Sequence, residues 1–247
     1  DHNTRPLKGF PIKIRIRNSL NGLLFSGFID QFVGVSGYTR THILKDYGNF
    51  LGKKTKVIYN GIDTDLYIKR EKDNKGRFIV ASHLRESKGI QDLIEAVHQL
   101  PENIKKQMTI DIYGEGPLEV FLKEKAVALG LGEQFRFLGS SPDLPSIFHE
   151  YSYLLQPSYM ECFSLSILES LSANVPVVTT PVGGNPEIID PNENGFLVPA
   201  GDVSQLSALL QKILLGELKI DREVNRKVEE NFNLKKMVSE HIELLPL

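Results

Sequence analysis

The chain has 247 residues, of which 41% are hydrophobic and 24% are charged, as expected for a globular chain of one or two domains. Its net charge of −2 argues against nucleic acid as a partner. The single cysteine, Cys162, excludes an internal disulfide and a cysteine-based zinc site, and it fits a reducing compartment such as the cytoplasm.

Basic and apolar residues are interleaved in the N-terminal segment. Its bases are Arg5, Lys8, Lys13, Arg15 and Arg17, and Asp1 is the only acid before them. Two interpretations stay open: a peripheral contact with the inner face of an anionic membrane, or a loop of an N-terminal domain. No apolar run of about 18 residues predicts a membrane-spanning helix, and no signal peptide is recognised. Because the chain begins at Asp1 rather than at a methionine, we expect it to be a fragment.

The first 60 residues predict two short strands and a helix. Strand-forming residues occupy 32–36 and 56–59, and a helical pattern covers 38–47. Asn60-Gly61 predicts a tight turn with positive φ, and we place a domain boundary near it. Residues 1–57 are assigned to the end of an N-terminal domain, 58–225 to the main domain, and 226–247 to a C-terminal helix that packs back on the N-terminal domain.

From residue 78 onward, strand candidates alternate with helix candidates. The strands are predicted at 78–81, 108–113, 135–138, 153–155, 175–179 and 195–198, and the helices at 90–100, 117–129, 143–150, 165–173, 184–189 and 202–215. This alternation indicates βαβ units and an α/β fold with a parallel sheet. Such sheets bind ligands at the carboxyl ends of their strands, where the strand order reverses. A last amphipathic stretch, 221–245, predicts one more helix, whose apolar side holds Val224, Val228, Phe232, Met237, Ile242 and Leu245.

Two glutamates flank the helix start that follows the strand at 153–155. The serine-rich turn at Ser164 and Ser166 places Glu161 in a loop and Glu169 about one turn inside the helix. Free backbone amides between them can hold an anion such as a diphosphate, and the carboxylates can then accept hydrogen bonds from sugar hydroxyls. The alternative is a capping box, Ser166-x-x-Glu169, which needs no ligand.

A basic loop follows the first strand of the main domain. His83, Arg85 and Lys88 gather there beside a helix start, where a guanidinium fork and an ammonium charge can bind phosphate oxygens. The alternative is a solvated loop whose charges pair with Glu86.

Glycine motifs exclude two common nucleotide sites. The loop 114–117 lacks the third glycine of a dinucleotide fingerprint, because Glu119 stands at that position, and no Walker-type loop occurs. Gly183-Gly184, after the strand at 175–179, predicts either close approach of a ligand to the backbone or a plain turn into a helix.

Taken in order, these segments resemble the retaining glycosyltransferases of family four, the glycosyl transferases group 1. The motifs that carry the resemblance are Asn-Gly-Ile-Asp (60–63), Leu-Arg-x-x-Lys-Gly (84–89), Gly-Glu-Gly-Pro (114–117), Phe-Leu-Gly (137–139), Pro-Ser-x-x-Glu-x7-Glu (157–169), Pro-Val-Val-Thr (176–179), Gly-Gly-x-x-Glu (183–187) and Asn-Gly-Phe-Leu-Val (194–198). The resemblance covers about residues 30–245 and implies half of a GT-B fold. This half is a Rossmann-like donor domain, with helices on both faces of its sheet, and it follows a partial acceptor-side domain.

The resemblance also implies a nucleotide-sugar donor site. Glu161 is expected near the hydroxyls of the transferred sugar, and Glu169 at the ribose. The other residues that the resemblance places at the donor are Ser164, Leu165, Ser166 and Lys88 at the diphosphate, Gly139, Ser140 and Ser141 beside the base, Gly184 in the glycine turn, and His2, reaching toward the sugar. The alternative for His2 is a disordered terminal residue.

Two positions depart from the family pattern. His83 stands where the family usually has arginine, so we expect Arg85, two positions on, to act with Lys88 on the leaving diphosphate. Ser164 stands where the family often has glycine, and it either narrows the space around the phosphate or adds a hydroxyl donor.

The activity that the resemblance implies is transfer of a sugar, with retention at the anomeric carbon, to a glycan, lipid or other acceptor. UDP-sugars are the first expectation for the donor and GDP-sugars the second, in surface polysaccharide or glycoconjugate synthesis. Neither a metal nor another cofactor is expected. The alternative is a nucleotide-binding module that is inactive in transfer because most of the acceptor domain is absent.

Overall fold

The computed structural model describes residues 11–245, which form two units. The N-terminal unit, residues 11–57, contains α1 (Ile12–Phe25), β1 (Phe32–Gly34), α2 (Gly37–Tyr47) and β2 (Thr55–Val57). Strands β1 and β2 pair in parallel, with Val33 opposite Lys56. A helix between two parallel strands makes this unit a small βαβ element.

Of the two interpretations of the basic N-terminal segment, a loop is wrong for Lys13, Arg15 and Arg17, because they lie in helix α1. It packs against α2, and its buried residues are Asn18 and Gly22 rather than its large apolar side chains. The exposed apolar side chains of α1 are Ile12, Ile16, Leu20, Leu23, Leu24 and Phe25. A search for helices by apolar periodicity assumes that the apolar face is buried. In the described chain, α1 instead exposes its apolar side chains and buries Asn18 and Gly22.

The sheet unit, residues 77–231, contains a single parallel sheet. Its strands are β3 (Arg77–Ala81), β4 (Thr109–Tyr113), β5 (Phe135–Gly139), β6 (Tyr153–Gln156), β7 (Val177–Thr179) and β8 (Gly195–Leu197). Its helices are α3 (Ile90–His98), α4 (Glu102–Lys105), α5 (Glu119–Ala128), α6 (Leu144–Ile147), α7 (Leu165–Ser172), α8 (Asn185–Ile188), α9 (Val203–Leu215) and α10 (Arg226–Asn231). The strand order is β5-β4-β3-β6-β7-β8, which confirms the predicted α/β fold with a parallel sheet.

Helices cover both faces of this sheet. Phe78, Ile79 and Val80 are successive residues of β3 and are all buried, although their side chains point to alternate faces. From β3 the chain moves outward in one direction through α3 and α5, and from β6 it moves in the other direction through α7 and α8. Right-handed crossovers in opposite directions place the two sets of helices on opposite faces.

The segment 58–62 joins the two units and contacts the C-terminal end of the chain. Ile62 N donates to Phe232 O at 3.1 Å, and Leu234 N donates to Ile62 O at 2.8 Å. The predicted tight turn at Asn60-Gly61 is wrong, because neither residue has a positive φ. Gly61 instead lies against the backbone, where a Cβ atom would stand 2.3 Å from the carbonyl oxygen of Asn233.

The C-terminal stretch is two helices rather than the predicted single one. Helix α10 ends at Asn231, and α11 (Leu234–Ile242) begins after Asn233, whose side chain caps it by accepting from Lys236 N at 2.8 Å. Ile242 and Leu245, expected on the apolar side, are 60% and 67% exposed. Within residues 11–245, no helix combines the length and apolar character that crossing a membrane would require.

Three aromatic rings, the aromatic triad, meet where the connecting segment, the sheet unit and the C-terminal stretch join. Tyr59, Phe163 and Phe232 have ring centroids 5.2 to 5.3 Å apart. Tilted and edge-on contacts at these distances are favourable for aromatic pairs. The triad therefore packs three distant segments together beside the loop that contains Glu161.

Candidate functional site

The candidate site lies where the strand order of the sheet reverses. The chain runs outward from β3 to β4 and β5, and then returns to β6, which pairs with the other side of β3. The loops 82–89 and 157–164 follow β3 and β6 and leave the sheet at the same edge. A crevice between two such loops is the general ligand position in open parallel sheets.

Glu161, in the loop after β6, is buried and held by three donors. Its Oε1 accepts from Lys88 Nζ at 2.7 Å, from Ser158 Oγ at 2.9 Å and from Gln156 Nε2 at 2.5 Å. Among the described residues, all three of these bonds go to Oε1 and none goes to Oε2. The carboxylate is thus fixed through one oxygen and can accept a hydrogen bond through the other.

Lys88 brings the basic loop to Glu161. Its side chain is 23% exposed, and it ends a 3₁₀ turn that begins at Glu86. The two loops also touch through their backbones, because Tyr159 N donates to Ser87 O at 2.8 Å. The structure therefore brings Lys88 and Glu161 into contact although they are far apart in sequence.

Ser164, not Ser166, is the N-cap of α7. The Ser164 hydroxyl accepts from Ile167 N at 3.4 Å and donates to Gln156 Oε1 at 2.9 Å. Ser166 lies within the first turn and donates to the carbonyl oxygen of Ala81 at 2.6 Å, which ties α7 to the end of β3. The alternative of a Ser166-x-x-Glu169 capping box is therefore wrong.

The first amides of α7 are available to a ligand. Leu165 and Ser166 occupy the first two helical positions, whose N–H groups have no acceptor within a helix. Leu165 is 47% exposed, so this helix start faces solvent. An anion placed there would also experience the positive end of the helix dipole.

Glu169 lies one turn further into α7 and contacts Tyr67. The Tyr67 hydroxyl interacts electrostatically with the Glu169 carboxylate. Burial raises the pKa of Glu169 above its ordinary value, and the Tyr67 hydroxyl partly opposes this. Burial and the adjacent Glu169 carboxylate raise the pKa of Tyr67. A half-buried carboxylate with one tyrosine partner keeps further acceptor capacity for a hydroxyl ligand.

The other two cationic candidates of the basic loop are exposed. The side chains of His83 and Arg85 point to solvent, and neither makes an ion pair with a residue in 11–245. The alternative of charges paired with Glu86 is wrong within the described chain, because Lys88 pairs with Glu161 instead. Arg85 and His83 are thus free to meet an incoming anion, whereas Lys88 is already engaged.

The loop after β5 forms the far side of the site. Gly139 O accepts from Gly114 N at 2.8 Å, Ser140 N donates to the Glu115 carboxylate at 3.4 Å, and Ser141 Oγ accepts from Asp143 N at 3.2 Å. The first two contacts anchor Gly139 and Ser140 to the neighbouring loop after β4, and the third is a turn within the same loop. The side-chain hydroxyl of Ser140 stays exposed.

The glycine turn after β7 packs behind Glu161. Gly183 has a φ of +59°, and a Cβ atom there would stand 1.8 Å from the carbonyl oxygen of Glu161. The amide of Gly184 donates to Cys162 O at 3.0 Å. These glycines do allow a close approach to their backbone, as one of the two interpretations predicts. The group that approaches is the backbone of Glu161 and Cys162, not a ligand.

The remaining expectations concern His2 and the basic residues at the start of the chain, and the expectation that no metal is bound. His2, Arg5 and Lys8 lie outside the described residues, and Lys13, Arg15 and Arg17 lie on α1. Within residues 11–245, no group of three or more His, Cys, Asp or Glu side chains is placed to hold a metal ion. Asp63 and Asp65 have Asp-x-Asp spacing, but the Asp63 carboxylate accepts from Asp65 N in a 3₁₀ turn.

Two residues at the site, Gln156 and Tyr67, were not identified from the sequence. Two more, Ser158 and Glu187, stand in the motifs that carry the resemblance, but the sequence assigned them no role. A polar Gln156 at the end of an otherwise apolar buried strand is a usable signal. Tyr67 and Glu187 act across more than 100 positions, and one sequence carries no pattern that would pair them with their partners.

The chain is similar to sugar transferases over most of its length. Residues 62–232 match the family model described as Glycosyl transferases group 1. N-acetyl-alpha-D-glucosaminyl L-malate synthase of Bacillus anthracis is 25% identical over 202 residues, which are 76% of this chain and 52% of that protein. MMP alpha-(1->4)-mannosyltransferase of Mycolicibacterium hassiacum is 28% identical over 192 residues, 75% of this chain and 46% of that one.

The fold is similar to that of a solved structure. The crystal structure of Anabaena Alr3699/HepE in complex with UDP superposes with a TM-score of 0.81 at 24% identity, covering 94% of this chain and 68% of that chain. The chain spans about half the length of the curated relatives that it matches.

Proposed function

Because the chain belongs to the glycosyl transferases group 1 family, we propose that its sheet unit binds a nucleotide-diphosphate sugar at the carboxyl ends of β3 and β6. The observation that carries this proposal is the convergence of Lys88, Glu161 and the open start of α7 at the point where the strand order reverses. A cation, a carboxylate and free helix amides are the groups that a sugar diphosphate requires.

Each group has a proposed role in this site. Oε2 of Glu161 accepts from a hydroxyl of the transferred sugar, and Glu169 accepts from the ribose. The amides of Leu165 and Ser166 bind the diphosphate, with the Ser164 hydroxyl beside them. The loop at Gly139, Ser140 and Ser141 borders the base, and His83, Gly184 and His2 complete the set expected around the donor.

The proposed reaction is transfer with retention at the anomeric carbon. The bond between that carbon and the diphosphate oxygen breaks with its electron pair on the diphosphate. A new bond forms to the oxygen of an acceptor hydroxyl, whose O–H bond breaks as its proton passes to the leaving diphosphate. Lys88, Arg85 and the α7 amides stabilise the negative charge that develops on the leaving group, without a bound metal. Turnover that is unchanged by a chelator supports this arrangement, and turnover that requires a divalent cation contradicts it.

UDP is the proposed nucleotide, with GDP second. The similar Anabaena structure was solved with UDP, and this supports the order of preference. The proposed acceptor is a glycan, a lipid or another glycoconjugate precursor, in surface polysaccharide synthesis at the cytoplasmic side of a membrane.

Donor binding is tested by thermal shift with UDP-, GDP- and ADP-sugars. We expect a UDP-sugar to raise the melting temperature of the chain, and Lys88→Met to reduce that rise. The matched control is Lys69→Met, which removes a lysine that pairs with Glu229 at 2.6 Å away from the site. No shift with any of these nucleotides, in the parent or in the control, contradicts the proposal.

The second candidate is a nucleotide-binding module without transfer activity. The length of the curated relatives supports it, since the chain spans about half of each. Transfer assays on this chain and on the longest natural protein that contains it separate the candidates. Donor binding without transfer in both proteins favours the binding module.

We also propose peripheral membrane contact through α1. Its exposed face combines Ile12, Ile16 and Leu20 with the bases Lys13, Arg15 and Arg17. Apolar residues beside basic ones are the composition of helices that lie on anionic membranes. Flotation with anionic vesicles is expected for the parent and not for a variant neutralised at Arg5, Lys8, Lys13, Arg15 and Arg17; equal flotation of both contradicts the proposal.

A further inference from the structure

Glu187 connects the two units of the molecule. It lies in α8 of the sheet unit, in the Gly-Gly-x-x-Glu motif, and is half-buried. Its Oε2 accepts from Gly37 N at 2.8 Å and its Oε1 accepts from Tyr38 N at 2.9 Å. The Tyr59 hydroxyl donates to Oε2 at 2.9 Å. All three donors belong to the N-terminal unit or to the connecting segment.

The charge of Glu187 suits this position. Gly37 and Tyr38 begin α2, an eleven-residue helix whose first amides have no acceptor within the helix. A carboxylate at a helix N-terminus is stabilised by those amides and by the helix dipole. Burial and the Glu187 carboxylate raise the pKa of Tyr59 to about 12, so the phenol stays protonated and donates.

The same contact region includes the loop of Glu161. The Ser36 hydroxyl donates to Cys162 O at 3.0 Å, and Gly184 N donates to the same oxygen at 3.0 Å. The N-cap of α2, the turn before α8 and the residue after Glu161 therefore share one carbonyl. A shift of α2 relative to α8 would also displace the loop that presents Glu161.

Resting on the proposed donor site, we propose that Glu187 is a positioning residue for sugar transfer. It binds no part of the donor. It holds the start of α2 against the α8 turn, so that the N-terminal unit stands in one orientation over the Glu161 carboxylate. Its loss leaves Glu169 and the first amides of α7 in place for the nucleotide and misaligns the Glu161 carboxylate with what the N-terminal unit presents to it.

The test is Glu187→Gln in the longest natural protein that contains this chain. A glutamine keeps the size but places an amide donor against the donors of α2 or Tyr59. We expect donor affinity within roughly twofold of the parent and kcat lower by about 10-fold or more, since small misplacements of reacting groups are costly. Tyr59→Phe removes one of the three donors and is expected to give a smaller loss, and Glu193→Gln, on the exposed loop after α8, to give none.

Hydrogen exchange supplies a readout independent of activity. Amides in the first turn of α2 are expected to exchange faster in Glu187→Gln, with those of β3 unchanged. Parental kcat together with parental exchange at α2 overturns the proposal, and so does an equal loss of donor affinity and kcat, which would place Glu187 in donor binding.

If Glu187→Gln does not fold, the same two measurements, kcat and exchange at α2, are made on Tyr59→Phe. Failure of the parent to bind any nucleotide sugar contradicts the proposed function, while the exchange experiment still tests the contact.

Discussion

The ion pair between Lys88 and Glu161 joins loops that are 73 positions apart in sequence. The side chains of Lys88 and Glu161 are 23% and 9% exposed, so removing one partner leaves the other poorly solvated. Such a pair contributes less through its own attraction than through the penalty for breaking it. The stability of the protein and the binding of a ligand at the candidate site therefore depend on the same two residues.

Lys88→Met is expected to lower the free energy of unfolding by about 1–3 kcal/mol, because Glu161 is left as an unpaired buried charge. Adding Glu161→Gln is expected to recover most of that loss. Urea denaturation measures both, and Lys69→Met is the control, since its exposed pair with Glu229 is worth about 0–1 kcal/mol. Equal losses for Lys88→Met and Lys69→Met would show that the site pair is not special.

Glu169 is expected to make stability depend on pH. Because burial raises its pKa, the folded state keeps the proton to a higher pH than the unfolded state. The free energy of unfolding therefore falls as pH rises from the unfolded pKa, about 4.3, through the folded pKa. Glu169→Gln removes this fall, so its melting temperature relative to the parent should increase across that window and then level off.

Melting curves from about pH 4 to about pH 8 test this expectation. The control is Glu124→Gln, an exposed glutamate on α5, which should differ from the parent by a constant amount. A constant difference for Glu169→Gln as well would contradict the assignment. The same variant should bind nucleotide more weakly, so a gain in stability would accompany a loss of function.

The sequence predicts candidate residues for this site better than it predicts their partners. Spacing from strand ends and a helix start, which is visible in one dimension, predicts Glu161, Glu169 and Lys88. Tyr67 carries no such signal, because it reaches Glu169 from another segment. Gln156 carries one, as a polar residue that ends an apolar buried strand, but only the structure shows that its partner is Glu161. Serine hydroxyls are equally ambiguous, and Ser164 rather than Ser166 caps α7.

At the scale of elements, the turn between β7 and α8 is constrained twice. Gly183 has a φ of +59°, which side chains rarely adopt, and it lies against the carbonyl of Glu161. Gly130, after α5, has a similar φ of +72° but no atom within 4 Å of a Cβ position. Substitution of Gly130 therefore tests backbone strain alone, whereas substitution of Gly183 tests backbone strain together with a steric clash.

Gly130→Ala is expected to cost about 1 kcal/mol through its conformation alone. Gly183→Ala is expected to cost about 3 kcal/mol or more, because the loop must also move away. Denaturation midpoints give both values, and nucleotide affinity should fall only for Gly183→Ala. If the two variants are equally stable, the Glu161 loop adapts without penalty.

Strands were predicted more accurately than helix ends. The strands β3, β6 and β7 are short runs buried on both faces, which periodicity and composition detect. The break between α10 and α11 depends on Asn233, which caps one helix and lies beside Gly61. Helix α1 escaped prediction because it buries Asn18 and Gly22 instead of an apolar face. Tertiary contacts, not local propensity, decide the break between α10 and α11 and the position of α1.

At the scale of the whole molecule, Phe232 of the aromatic triad joins the sheet unit to the connecting segment. It is 4% exposed and touches Tyr59 and Phe163. Phe232→Ala is expected to lower the free energy of unfolding by about 3–5 kcal/mol, since the cavity opens where three segments meet. Phe50→Ala, at a site 55% exposed, should change it by about 0.5 kcal/mol or less. A small loss at Phe232, measured in urea, would mean that the junction repacks.

The contact between the connecting segment and the C-terminal stretch also bears on biosynthesis. Gly61 N donates to Met237 Sδ across 176 positions, and Ile62 bonds to residues on both sides of Asn233. A ribosome adds about 5–20 residues per second, so residues near 61 leave the exit tunnel seconds before their partners exist. The sheet can assemble during translation, but the junction with the N-terminal unit closes only after residue 237 has left the exit tunnel. Until Phe232 has also emerged, Tyr59 and Phe163 lack it as a packing partner.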